Sequence, residues 1–378
     1  MKIIINAITA KKGAGGCFQI AINFIRHTLQ DESVEWYYVV SKDIDDVLGE
    51  DFAILRETRY FVFPTQPDIK RTYFTVKKDL KSIECKIKPN VVYSISAPSY
   101  FTFKTKEVMR FTNPWVMYPN KYAWSTLSPV GRLRQTLYCS LQRKLIKSAY
   151  AFITQTDAAK ESIMRITHKP SDKVRAVNNV LPDVFRGMDN TPINCDEKVN
   201  IACICNPFPH KNFDIISNVV LELDKMGYTN VCFHTTIPEA SPIIEKVLGP
   251  LDKIGFSDRV VNHGRVSQVK LGEIYRTCQL CLLPTLLEVF SASAIEAMYY
   301  GLPIIATDLV FNHSVLEDSC LYYEPKNAVD AAGQIAKMIN DSELRADCCK
   351  KMSSLLTRYD DYDAHFCSIR NFLIEIGS

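Results

Sequence analysis

No stretch of the 378 residues approaches the roughly 18 consecutive apolar positions that span a bilayer, so the chain reads as soluble, or peripheral at most. The opening Met1-Lys2-Ile3-Ile4-Ile5-Asn6 is too short for a signal peptide, and Lys11-Lys12 soon interrupts it. Signatures of other chemistries are missing: the seven histidines form no HExxH and no pair at metal-ligand spacing, and no GxSxG offers a serine nucleophile. Zinc-finger spacing, an RNP-like aromatic motif and basic-zipper heptads are also absent, which argues against nucleic acid as a partner. The thirteen cysteines lack order rather than number. Their odd count, scattered through apolar segments, excludes a disulfide scaffold and fits a reducing compartment with free thiols. Cys278 and Cys281 have CxxC spacing, but they sit in an apolar run that reads as a buried strand; Cys203/Cys205 and Cys348-Cys349 are read the same way. Asp43-Ile44-Asp45 has the form of a metal-binding DxD, yet it lies early in the chain among acidic residues and reads as a solvated turn.

The length exceeds what one core usually supports, and 47% hydrophobic residues can fill two. With 23% charged and 11% aromatic residues, composition excludes disorder and low complexity. The net charge of +3 hides an asymmetry: up to residue 190 there are 29 basic against 18 acidic residues, and beyond it 16 against 24. A basic half joined to an acidic one suggests that one lobe meets an anionic surface such as a membrane. Gly131 to Tyr150 carries Arg132, Arg134, Arg143, Lys144 and Lys147 among Leu133, Leu137, Leu141, Leu145 and Ile146. Two readings stay open for it: a membrane-surface helix, or a helix with its apolar face buried and its basic face in water.

Short β-rich runs alternate with amphipathic stretches, the pattern of parallel α/β units. Lys2 to Ala7 reads as a strand, followed by a glycine-containing turn (Gly13, Gly15, Gly16) and a helix from about Cys17 to Leu29. Trp36 to Val40, Val91 to Ile95 and Ala151 to Thr154 continue that sheet. Polar residues and prolines between Leu181 and Glu197 read as a linker. A second series then follows: strands at Val199 to Cys205, Val231 to Thr235, Leu280 to Leu283 and Ile304 to Ala306, and helices at Asn212 to Leu223 and about Ser291 to Tyr300. The expected architecture is α/β, with two Rossmann-like doubly wound domains, 1–185 and 186–361, facing each other across a cleft; the segment from about 362 to 378 is expected to pack back on the first. Ligands of such sheets bind outside the carboxyl ends of the strands, so the strand-to-helix loops are where chemistry belongs.

The richest loop is Pro284-Thr285-Leu286-Leu287-Glu288-Val289-Phe290-Ser291, which runs into the helix carrying Glu296. Free N–H groups at that helix start suit a diphosphate, and a carboxylate in the second turn can accept from both hydroxyls of a ribose. Spacing alone equally allows a capping box, Ser293-Ala294-Ile295-Glu296, with Ser293 as N-cap. Lys211 lies in Asn206-Pro207-Phe208-Pro209-His210-Lys211-Asn212, between a strand and a helix, where its charge can meet a diphosphate or simply be solvated.

The segment from Glu288 to Glu296 resembles the glutamate-x7-glutamate motif of retaining GT-B glycosyltransferases, in particular glycosyltransferase family 4. The resemblance continues through Tyr300-Gly301-Leu302-Pro303-Ile304-Ile305-Ala306-Thr307-Asp308, His313 to Asp318 and Leu321 to Pro325. It also covers Pro209-His210-Lys211-Asn212, Gly264-Arg265-Val266, Gly15-Gly16 and Ala151 to Phe185. Two departures stand out: Val289 and Ser291 replace the family's glycines around Phe290, and Asn206 replaces its usual arginine. Between residues 30 and 110, the region that normally recognises the acceptor, there is no usable likeness.

The resemblance implies a metal-independent transferase needing no cofactor, cytoplasmic or peripheral on the inner face of the plasma membrane, working with retention on a glycan or lipid-linked glycan in cell-surface polysaccharide synthesis. It makes Lys211 and Glu288 catalytic. Gly15, Gly16, Asn206, Lys211, Arg265, Val266, Glu288, Val289, Phe290, Ser291 and Glu296 would bind a nucleoside diphosphate sugar, with Glu296 on the ribose and Glu288 on the sugar. Another GT-B enzyme, such as a sugar-nucleotide epimerase, or a binding module without turnover remain alternatives.

Overall fold

The structure, a computed structural model, describes residues 1–12, 16–56, 58–63, 73–193, 198–359 and 361–378. It divides into two compact units: Met1–Met117, Arg134–Val177 and Asp363–Ser378 form the first, Tyr118–Leu133 and Asn178–Tyr362 the second.

The first unit holds a seven-stranded sheet built from β1 (Lys2–Ala7), β2 (Glu35–Ser41), β3 (Tyr60–Phe63), β4 (Val91–Ser94), β5 (Lys106–Arg110), β6 (Ala151–Thr154) and β7 (Val174–Ala176), in the order β3-β2-β1-β4-β5-β6-β7. Every pairing is parallel. β1 and β4 are buried almost throughout, as expected of central strands covered on both faces. On one face Ile4, Val39 and Val92 pack with Val76 and Leu80 of the Tyr73–Ile87 helix. On the other, Phe24 of the Gly16–His27 helix meets Tyr93 at 5.3 Å and Phe366 at 5.2 Å between ring centroids. Phe366 belongs to the Tyr362–Gly377 helix. That helix is also tied to the first unit by Arg370 Nη1 on Asp31 (3.2 Å) and by Lys106 Nζ on the carbonyl of Ile376 (2.8 Å).

The second unit has six parallel strands, β8 (Val199–Ala202), β9 (Val231–Thr235), β10 (Val260–Asn262), β11 (Leu280–Leu283), β12 (Ile304–Thr307) and β13 (Leu321–Tyr323), in the order β10-β9-β8-β11-β12-β13. Alternate side chains feed two cores: Ile201, Phe233 and Leu282 on one face, Ala202, Cys281 and Leu283 on the other.

The two units do not follow the expected division at residue 185: Tyr118–Leu133 and the residues from Asn178 onward fall in the second. Leu181 and Phe185 are fully buried in the core of the second unit, and Leu181 N–H donates to the carbonyl of Tyr359 at 2.8 Å, so packing rather than the polar linker sets the boundary. The helix expected from Asn212 begins at Ile215. Asn212 takes a left-handed φ of 58° and its amide donates to the carbonyl of Pro284 at 3.2 Å, which prevents earlier helix entry. Asp43 and Asp45 lie not in a solvated turn but in the Lys42–Leu48 helix, where Ser41 Oγ accepts from Ile44 N–H as N-cap. Asp45 is buried, with Lys42 at 3.0 Å and Arg56 at 2.6 Å.

Candidate active site in the second unit

β8 leads outward through β9 to β10, and the chain then returns to β11 on the opposite side of β8, so the strand order reverses between β8 and β11. A doubly wound sheet opens a ligand crevice at such a point. The loop after β8 carries Lys211 in a 3-10 turn, Pro209–Lys211, and the loop after β11 carries Glu288.

These loops are laced together. Leu286 N–H donates to the carbonyl of His210 at 2.8 Å, and Asn120 Nδ2 donates to the carbonyl of Leu286 at 2.9 Å. Thr307 Oγ1 at the end of β12 holds the carbonyl of Thr285 at 2.7 Å. Leu286 and Leu287 are fully buried, which anchors the loop and turns Glu288 outward, half-buried. The result places Lys211 Nζ 2.7 Å from Glu288 Oε2, with side chains only 10% and 20% exposed. That oxygen is shut off from water and has no aligned hydrogen-bond donor, so its partner is the nearby ammonium charge. Burial pulls the Lys211 pKa down, but the Glu288 carboxylate outweighs it and leaves it above the ordinary lysine value. The ammonium therefore stays charged in a nearly dry place, where a point charge acts most strongly. His210 beside it is pushed down to about 4 by burial and then by Lys211, and is neutral at neutral pH.

Ser291 is the N-cap of the Ala292–Tyr299 helix, yet its hydroxyl makes no capping bond. Ala292, the first helical residue, is exposed, so the helix start and its positive dipole end are open to an anion. The capping-box alternative for Glu296 does not hold: Ser293 lies inside the helix, and its Oγ donates to the carbonyl of Ile204 at 2.6 Å. Glu296 accepts instead from the Tyr275 hydroxyl at 2.8 Å. Burial raises the Glu296 carboxyl to about 7, against the opposing pull of that hydrogen bond. Tyr275, stacked on Tyr300 at 5.3 Å, is the residue that sequence reasoning missed; it sits in the last turn of the Gln268–Arg276 helix without any motif.

The remaining expected residues are more dispersed. Val289, Phe290 and Ser291 have buried side chains, and Phe290 packs edge-on to Tyr359 at 5.6 Å, so what this stretch offers a ligand is chiefly backbone. Asn206 is exposed at the start of the Lys211 loop. Arg265 is exposed and Val266 half-buried after β10, two strands from β8. Gly264 ahead of them has φ +66°, a turn that favours glycine. His263 holds the base of that turn through His234, 2.9 Å away between ring nitrogens. Gly16 is the exposed first residue of a helix in the first unit, where an added Cβ would meet nothing within 4 Å. Gly15 lies outside the described residues. Cys278 and Cys281 are free and buried, and burial lifts the Cys281 thiol well above its ordinary value, as expected of packing residues.

Residues 246–353, which include Arg265, Val266, Glu288 and Glu296 but not Lys211, match the family described as Glycosyl transferases group 1. The chain is 24% identical over 250 residues to the O-antigen chain mannosyltransferase RfbU of Salmonella typhimurium, an alignment covering 65% of this chain and 66% of that enzyme, slightly under two thirds of its length. Among solved structures, a glycosyltransferase from Rickettsia africae superposes with a TM-score of 0.72 at 12% identity, covering 99% of this chain and 98% of that one. HepE of Anabaena, solved in complex with UDP and glucose, superposes with a TM-score of 0.67 at 12% identity, covering 99% of both chains. The chain thus has the GT-B fold of two parallel-sheet α/β domains, and its second domain carries a glycosyl transferases group 1 segment around Glu288 and Glu296.

Proposed function

We propose that this chain is a retaining, metal-independent glycosyltransferase that moves a sugar from a nucleoside diphosphate donor to a hydroxyl of a glycan or lipid-linked glycan in cell-surface polysaccharide synthesis. The observation that carries the reading is the Lys211–Glu288 pair, 2.7 Å apart at the crossover of a doubly wound sheet and next to an open helix N-terminus. A desolvated cation beside free N–H groups suits a departing diphosphate, and a carboxylate next to it suits positive charge on an anomeric carbon. In the reaction, the bond from the anomeric carbon to the diphosphate oxygen breaks and a bond to the acceptor oxygen forms on the same face. The acceptor proton passes to the leaving diphosphate. Lys211 and the start of the Ala292–Tyr299 helix bind the diphosphate, Glu288 faces the sugar, and Glu296 accepts from the ribose hydroxyls. Arg265 and Val266 lie against the base, Asn206 and the backbone of Val289, Phe290 and Ser291 line the donor, and Gly15 and Gly16 belong to the donor-binding set that the resemblance implies. The O-antigen relative and the UDP-bound neighbour support the donor and acceptor classes. The place of work is the cytoplasm, at the inner face of the plasma membrane.

Nucleotide sugars are first ranked by thermal shift, and nucleoside diphosphate release is then followed with and without glycan acceptors. Release that depends on acceptor is expected. Binding with no turnover, or turnover of the donor to an isomer, would replace the reading with a binding module or an epimerase.

A further inference from the structure

Four consecutive carbonyls lead from the end of β11 to Glu288, and each accepts a hydrogen bond from a side chain of the second unit. Asn212 Nδ2 donates to Pro284 at 3.2 Å, Thr307 Oγ1 to Thr285 at 2.7 Å, Asn120 Nδ2 to Leu286 at 2.9 Å and Thr285 Oγ1 to Leu287 at 3.4 Å. Loop backbone usually leaves such groups to water. Here residues 284–287 are all buried, so their donors, not solvent, decide where the chain runs.

One of these donors is itself set by a residue outside the glutamate motif. Asn312, 2% exposed in the Val310–Leu316 helix, brings its Nδ2 to 2.8 Å from Thr307 Oγ1 and 2.9 Å from the Thr307 carbonyl. An amide nitrogen can only donate, so the Thr307 hydroxyl accepts from Asn312 and its single proton is committed to the carbonyl of Thr285. Thr307 and Asn312 are as buried as Thr285, which shields the whole relay from competing water. An asparagine that merely stapled its own helix to β12 would need only the Thr307 carbonyl. The bond through the hydroxyl carries the connection across to the chain leaving β11, three residues before Glu288.

We propose that Asn312 is a positioning residue, which through Thr307 fixes the path of residues 284–287 and so the place of the Glu288 carboxylate beside Lys211. The proposal deepens the functional reading and rests on it for the role of Glu288. Thr307→Val keeps the shape of the side chain and removes the relay, Asn312→Ala removes its source, and Thr307→Ser keeps the hydroxyl. Thr28→Val is the control: it removes a buried hydroxyl 2.8 Å from Tyr38 Oη in the first unit, and should lower the melting temperature without lowering kcat. Amide hydrogen exchange of the ligand-free protein is followed by peptide. In Thr307→Val and Asn312→Ala, exchange should quicken at 284–290 as well as at 308–316, and Thr307→Ser should exchange as wild type does. Transfer is then measured with the nucleotide sugar that thermal shift ranks first. The two relay variants should lose about tenfold to a hundredfold in kcat, since a small misplacement of a reacting group has that effect. KM for the donor and affinity for its free nucleoside diphosphate should stay near wild type, and Thr307→Ser should recover most of kcat. Should Thr307→Val not fold, Asn312→Ala carries both readouts. Quickened exchange confined to 308–316 would overturn the proposal and leave Asn312 a staple of its own helix. So would a kcat loss no larger than that of Thr28→Val, or equal losses in Thr307→Ser and Thr307→Val. If the wild-type protein transfers nothing, the functional reading fails by itself, and exchange at 284–290 still decides whether Asn312 holds the loop.

Discussion

Glu288 and Glu296 carry the same carboxyl group into two environments, and that difference is testable. Glu288 stands beside a charged lysine, half-buried. Glu296 is buried against a tyrosine hydroxyl, with its carboxyl raised from 4.5 to about 7. Between those values the folded chain keeps a proton that the unfolded chain has lost, so this group's contribution to stability falls as pH rises through that window. Glu296→Gln cannot ionise. It is expected to melt above wild type when both are compared above neutral pH, with the gap closing toward acid; a shift of this size corresponds to at most about 3 kcal/mol. The same variant should lose roughly tenfold to a hundredfold in affinity for free nucleoside diphosphate, since a hydrogen bond to a charged group contributes about 1.5–3 kcal/mol. Glu288→Gln should leave that affinity nearly intact and lower kcat strongly, the mark of a contact that strengthens in the transition state. Calorimetric titration and melting curves at two pH values separate the residues; unchanged nucleotide affinity in Glu296→Gln would remove the ribose role. Lys211 and both glutamates were legible in the sequence through their motifs. Tyr275 was not, because a tyrosine inside an ordinary helix announces nothing until folding brings its hydroxyl to a carboxylate.

At the scale of elements, the Ala292–Tyr299 helix shows why some boundaries could be read and others not. Its end is written locally: Gly301 takes φ +66°, its N–H donates to the carbonyl of Met298 at 3.0 Å, and Leu302 N–H donates to that of Ala297 at 2.9 Å, a Schellman closure. An added Cβ at Gly301 meets nothing within 4 Å, so Gly301→Ala tests backbone strain alone. It should cost about 1–2 kcal/mol, a lower melting temperature with unchanged ligand affinity, and Gly301→Asn should recover part of the loss. The start of the same helix is tertiary, because the bond from Ser293 to Ile204 overrides the capping box that its sequence spells. Four of the five strands that escaped the sequence reading did so for a related reason. β5, Lys-Glu-Val-Met-Arg, carries charge inside a sheet, while β7, β10 and β13 are only three residues long. Segments so short lack a period of their own and become strands when a neighbour supplies the hydrogen bonds.

Across the whole molecule, thirteen cysteines without a scaffold imply thirteen thiols, and the twelve among the described residues are free. Alkylation of the denatured, unreduced protein followed by intact-mass measurement is expected to show thirteen labels; several missing labels would reveal disulfides or a bound metal. The alternation of strand and helix was enough to establish two parallel α/β domains, because burial on both faces of a sheet imprints itself on composition over short windows. The domain edge was not local in that sense: Leu181 and Phe185 look like the end of the first domain and pack in the core of the second. The helix from Pro129 shows the same limit, since its pattern allowed the leucines inside or outside and the exposure of Leu133, Leu137 and Leu141 decided it. By itself, then, the sequence determined fold class, central strands and the residues that carry charge to the site, all of which depend on near neighbours in the chain. Tertiary structure alone decided which of those charges meet, which carboxyl is raised and which helix face stays in water, because each depends on partners distant in sequence, as Lys211 is from Glu288 and Tyr275 from Glu296.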